Sequence, residues 1–94
     1  MEGSLELFNL SGRVAIVTGG SRGIGFAIAE SLASAGAVIV IADILAEKGE
    51  EAAKTIQAKG FKAKSIPVDV TQRDSVRNLV SQVLKEFDHI DILV

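Results

Sequence analysis

Apolar positions along this chain alternate between two periods, and each switch marks the border of an element. Residues 14–18, VAIVT, form an unbroken run rich in β-branched side chains, the pattern of a strand buried on both faces. After the glycines that follow, Ile24, Ala27, Ile28, Ser31, Leu32 and Ala35 recur at helical spacing. Gly36 stands where a helix commonly ends. VIVIAD, 38–43, repeats the strand pattern, and Leu45, Gly49, Ala52, Ala53 and Ile56 trace a second helix closed by Gly60. AKSIPV, 63–68, is a weaker third strand; Pro67 lacks a ladder donor, so the strand ends there or lies at an edge. TQRD, 71–74, has the Ser/Thr-x-x-acid form of a capping box. Behind it Val76, Leu79, Val80, Val83, Leu84 and Phe87 make the clearest helical stripe, and DILV, 91–94, opens a fourth strand.

The order βαβαβαβ predicts a parallel α/β sheet with helical crossovers, in three layers. If the second strand lies beside the first and the third beside the second, right-handed crossovers place the first two helices on one face. A fourth strand on the other side of the first sends the third helix across the opposite face. This is a partial doubly wound sheet, and ligands bind such sheets where the strand order reverses, at the carboxyl ends of the strands.

TGGSRGIG, 18–25, leaves the first strand at that crevice. A helix N-terminus offers unpaired N–H groups and partial positive charge to a phosphate, and glycines let the turn tighten and a phosphate reach the amides. On this reading Gly25→Val abolishes binding and leaves the fold intact. The competing reading is that the glycines only solve a packing problem between strand and helix. The spacing Gly-x-x-x-Gly-x-Gly differs from the commonest dinucleotide fingerprint, Gly-x-Gly-x-x-Gly. Nor is this a P-loop, because Phe26 and Ala27 stand where that loop requires Lys and Ser/Thr.

Asp43 ends the second strand 18 residues after Gly25, near the offset of about 20 at which an acidic side chain meets an adenosine ribose. It is also placed to cap the second helix. A carboxylate there accepts ribose hydroxyls and repels a 2′-phosphate, which favours NAD over NADP. Arg22 points the other way, since it could pair with such a phosphate, or it is a solvated loop residue. Ile44 supplies no second cation.

Composition narrows the function further. Of the 94 residues 48% are hydrophobic, 23% charged and only 4% aromatic, with a net charge of −2. That balance gives no basic footprint for nucleic acid. There is no cysteine, which excludes disulfides, thiolate metal sites and a cysteine nucleophile. The opening MEGSLELFNLSGR carries Glu2 and Glu6 and no unbroken apolar core, so no export signal is expected. The longest apolar stretch, 37–42, is far below the ~18 residues of a membrane span, and a cytoplasmic protein is expected. His89, the one histidine, sits between Asp88 and Asp91; this trio makes a poor metal site, and the histidine reads as a surface residue rather than a base. Ser21 has no base nearby in sequence, and its hydroxyl is expected to face a phosphate.

TGGSRGIG has the Thr-Gly-x-x-x-Gly-x-Gly form of the short-chain dehydrogenase/reductases. IAD, VDV, IDILV and the lead-in LFNLSGRVAIVTG resemble that family's landmarks in their usual order. The resemblance implies a Rossmann-type fold and a nicotinamide dinucleotide. It implies cofactor contacts at Gly19, Ser21, Arg22, Gly23, Ile24 and Gly25 for the pyrophosphate, at Asp43 and Ile44 for the ribose end, and at Asp69 and the Val70 amide for the adenine. Apart from the resemblance, Asp69 reads as a structural residue at a strand end. The family's activity is hydride transfer between a nicotinamide and a secondary alcohol or ketone, of sugar, polyol or 3-oxoacyl type. A homo-oligomer is implied, with the 76–87 stripe at a subunit interface; core packing is the competing reading for most of it.

The family's Asn-Asn-Ala-Gly, catalytic Asn, Ser and Tyr-x-x-x-Lys are absent, and the sequence has no tyrosine. No catalytic and no metal-binding residue is therefore assigned. Residues 1–94 are expected to be the amino-terminal part of one dinucleotide-binding domain, inactive alone. An open apolar edge at the fourth strand favours that reading over a stand-alone nucleotide-binding or interaction module. A methyltransferase-like nucleotide fold is disfavoured by the glycine spacing.

Overall fold

A computed structural model describes residues 9–94. Residues 1–8, on which the expectation of no export signal largely rests, lie outside the described residues. The chain runs β1 (Val14–Thr18), α1 (Gly23–Ser34), β2 (Val38–Asp43), α2 (Ala46–Ala58), β3 (Ala63–Pro67), α3 (Arg73–Phe87) and β4 (Ile92–Leu93). The four strands form one parallel sheet in the order β3-β2-β1-β4. The expected reversal next to β1 is present.

The two-faced burial of β1 and β2 divides the core. Ala15, Val17, Ile39 and Ile41 face α1 and α2, meeting Ala29, Ala33, Ala52, Ala53 and Ile56. Val14, Ile16, Val40 and Ala42 face the other way and, with Ile66 and Val68, pack against Leu79 and Val83 of α3. Alanines on α1 and α2 let these helices lie close to the sheet, and Gly49 of α2 continues this, since a Cβ there would stand 2.6 Å from Ser65 Oγ. Helix ends follow the sequence: α1 closes before Gly36 (φ 106°) and α2 before Gly60 (φ 90°). Asp88, with no glycine available, adopts φ 74° to end α3.

Two local expectations are corrected. Thr71 does not cap α3. The residue preceding that helix is Gln72, without a side-chain bond to the first turn, and the Thr71 hydroxyl and N–H both donate to Asp69 Oδ1, at 2.6 and 3.0 Å. Asp69 gathers both Thr71 donors in an Asx turn, and the helix begins one residue later than the capping pattern implies. Asp43 likewise does not cap α2: it accepts the N–H of Leu45 at 2.9 Å, the residue that precedes the helix. Pro67 both ends β3 and lies on an edge strand. That edge is further blunted by Gln57, whose Nε2 donates to Ala63 O at 2.6 Å.

Candidate functional site

Strand register brings the candidate residues to one rim. Thr18 pairs with Ala42, and Asp43 with Pro67, so β1, β2 and β3 end level. The glycine turn, Asp43 and the Val68–Thr71 turn all leave the sheet at this end. Thr18 secures the corner: its hydroxyl and N–H donate to Val94 O at 2.7 and 3.0 Å, and the Gly19 N–H donates to Ala42 O at 2.8 Å. Sequence reading passed over Thr18, although its place at the head of the motif was the available signal.

The glycines serve different ends. Gly19 and Gly23 each have φ 62°, and a Cβ on either would meet nothing within 4 Å. They are required by backbone conformation and face open space. Gly20 is tight against β1, where a Cβ would stand 3.0 Å from Val17 O. A Cβ at Gly25 would overlap the Gly19 carbonyl oxygen and stand 3.2 Å from Gly20 Cα. The start of α1 is therefore packed on the backbone of the turn itself. This corrects the expectation for Gly25→Val: the substitution must displace the turn whether or not a phosphate binds there.

At the start of α1, Arg22 is extended and no side chain caps the helix, nor does an acidic residue occupy the first turn. Ile24 is 81% exposed beside these amides. Asp43 is only 8% exposed. Its Oδ2 accepts the Ser21 hydroxyl at 2.5 Å and the Ser21 N–H at 3.3 Å, while Oδ1 accepts Leu45. Burial acts to raise the Asp43 pKa. The hydrogen bonds from Ser21 and Leu45, with the nearby Arg22 charge, outweigh it and hold the carboxyl below its ordinary value. The Ser21 hydroxyl thus faces Asp43 and not the open side of the turn, where a phosphate was expected.

Asp69 follows β3. The bonds from Thr71 hold its carboxyl below its ordinary value, and its own N–H donates to Ser75 Oγ at 2.9 Å. Ser75, a second residue that sequence reading missed, ties this turn to α3. Ile44 and Val70, 64% and 62% exposed, flank the two aspartates on their turns. Asp91 and His89 lie at the opposite end of the sheet. Asp91 accepts the Val14 N–H at 2.8 Å, and His89 Nε2 lies 2.9 Å from Gly12 O. Both close the amino end of β1, far from the rim. A cleft of about 680 Å³ along the outer edge of β3 is lined by Gln57, Lys64, Pro67, Glu86 and Phe87, among others, and by none of the candidate cofactor-binding residues.

Residues 13–94 match the family described as short chain dehydrogenase. The chain belongs to this family. Among short-chain dehydrogenases it is 37% identical over 89 residues to a 5-keto-D-gluconate 5-reductase of Escherichia coli (strain K12), covering 95% of this chain and 35% of that protein. It is 45% identical over 85 residues to a 3-oxoacyl-[acyl-carrier-protein] reductase of Haemophilus influenzae, covering 90% and 34%. Superposition on a hydroxysteroid dehydrogenase from Escherichia coli gives a TM-score of 0.89 at 34% identity, covering 92% of this chain and 36% of that one. The chain spans about a third of the length of the relatives it matches. The fold is therefore that of the short-chain dehydrogenases, a Rossmann-type α/β sheet. Among the described residues, no helix is long and apolar enough to cross a membrane.

Proposed function

We propose that this chain is the dinucleotide-binding part of an NAD-dependent oxidoreductase. The enzyme would move hydride between a nicotinamide and a secondary alcohol or ketone, on a sugar, polyol or 3-oxoacyl substrate such as its relatives' names describe. The observation that carries the reading is the convergence at one rim of an uncapped helix N-terminus and a buried, ionised Asp43.

Each residue then has a physical task. Gly19 and Gly23 present the first-turn amides of α1 without a side chain in the way, and these amides hold the pyrophosphate. Asp43 accepts ribose hydroxyls, and its fixed charge disfavours a 2′-phosphate. Ile44 and Val70 offer apolar surface to the adenine, with Asp69 and the Val70 amide at its polar edge. Ile24, exposed beside the amides, borders the pyrophosphate with the rest of the 19–25 turn. When bound, the nicotinamide supplies the hydride acceptor or donor. No residue of this chain is assigned a proton-transfer role, so the chain alone is expected to turn over no alcohol.

The test is titration of the full-length protein with NADH and NADPH, read by nicotinamide fluorescence. Asp43→Ala is expected to weaken NADH about 10–100-fold, the value of one lost hydrogen bond to a charged group, and NADPH by much less. Equal losses would show that Asp43 does not meet the ribose.

A further inference from the structure

The Asp43 carboxylate is held from two directions, and one of them is the glycine turn. Leu45 fixes Oδ1 through the backbone ahead of α2. Ser21, 22 residues away in the chain, fixes Oδ2 through both its hydroxyl and its N–H. A carboxylate gripped at both oxygens cannot turn about its side-chain torsions without breaking bonds at one end. Arg22, exposed and adjacent to Ser21, is the only cation of the turn. Its charge favours a phosphate in the same neighbourhood where Asp43 opposes one.

We propose that Ser21 is a positioning residue that sets the choice of dinucleotide by holding Asp43 in place. The proposal rests on the dinucleotide reading above. With Ser21 bonded to it, Asp43 keeps its negative charge at a fixed point. A 2′-phosphate brought there meets a repulsion that rotation of the carboxylate cannot relieve. Without the Ser21 hydroxyl, the carboxylate is tethered through Oδ2 by one long N–H bond only. It can then swing toward Arg22, leaving room and a cation for the phosphate. The same hydroxyl stabilises the ionised form of Asp43, so its loss also raises the pH at which the carboxylate takes up a proton.

The experiment measures NADH and NADPH affinities of the full-length protein for wild type, Ser21→Ala, Ser21→Thr, Asp43→Asn and the Ser21→Ala/Asp43→Asn pair. Ser21→Ala is expected to shrink the ratio of NADH to NADPH affinity about 5–10-fold, less than the full value of one hydrogen bond to a charged group because the Ser21 N–H still holds Oδ2. It is also expected to move the acid limb of NADH binding to higher pH. Ser21→Thr, which keeps a hydroxyl, restores both. In the Asp43→Asn background Ser21→Ala changes the ratio by less than about twofold, because the partner through which it acts is gone. Should the alanine variant not fold, Ser21→Gly removes the same hydroxyl from a turn already rich in glycine. An unchanged ratio and acid limb overturn the proposal, and so does an equal effect in the Asp43→Asn background, which would place Ser21 on the ligand itself. Wild type that binds neither dinucleotide overturns the dinucleotide reading, and this proposal with it.

Discussion

At Gly25 the missing side chain is accounted for by the protein's own backbone. A Cβ there overlaps Gly19 O, whereas one at Gly23 enters open space at φ 62°. The two substitutions should therefore fail for different reasons. Gly23→Ala strains one left-handed residue, costing about 1–2 kcal/mol, and leaves the turn in shape. Gly25→Ala forces the start of α1 off the turn and should cost more. Urea denaturation of the full-length protein measures both, and a Gly25→Ala cost no larger than that of Gly23→Ala would contradict the packing role. Four closely spaced glycines look alike in sequence, because a missing side chain does not say whether backbone conformation, a packed neighbour or a ligand requires it.

Within elements, periodicity identified α3, and core packing, the reading given for most of its stripe, holds at four of the six positions. Its stripe holds six apolar side chains, too wide an arc for one flat seat on the sheet. Leu79 and Val83 are buried and Val76 and Phe87 pack partly against the same core, while Val80 and Leu84 remain 37% and 44% exposed. Leu79→Ala is expected to destabilise by about 2–5 kcal/mol through the cavity it leaves. Leu84→Ala should stay near about 0.5 kcal/mol, as for a surface position. Comparable losses in denaturant unfolding would mean that α3 is seated differently. The failed cap at Thr71 arises outside the TQRD pattern, because Asp69 two residues upstream takes both the Thr71 hydroxyl and its N–H.

For the molecule as a whole, the sheet is pinned at both ends by aspartates. Asp91, at the amino end of β1, is held below its ordinary value by the Val14 N–H, against some burial, with help from the His89 and Arg13 charges. Asp43 is held low at the carboxyl end. A carboxylate whose folded pKa lies below the unfolded value of about 3.9 adds stability above that pH, and loses it as pH falls through the lower folded value. Acid unfolding is therefore expected to set in below about pH 4. The Asp91→Asn and Asp43→Asn variants should each show a flatter dependence of unfolding free energy on pH between about 5 and 2. A wild-type profile that stays level across this range would show that neither aspartate gains its hydrogen bonds on folding.

The sequence by itself determined the four strands and the three helices and, once the strand order is assumed, the faces of the sheet on which the helices lie. These follow from short-range periodicity and from the handedness of crossovers, both of which can be read one segment at a time. Only the tertiary structure decided that Ser21 bonds to Asp43, that Thr18 is tied to Val94, and that Gly25 packs against Gly19. Each depends on how two separate stretches of backbone approach one another. Strand register and the path of the turn set that approach to within an ångström, and no spacing along the chain records it.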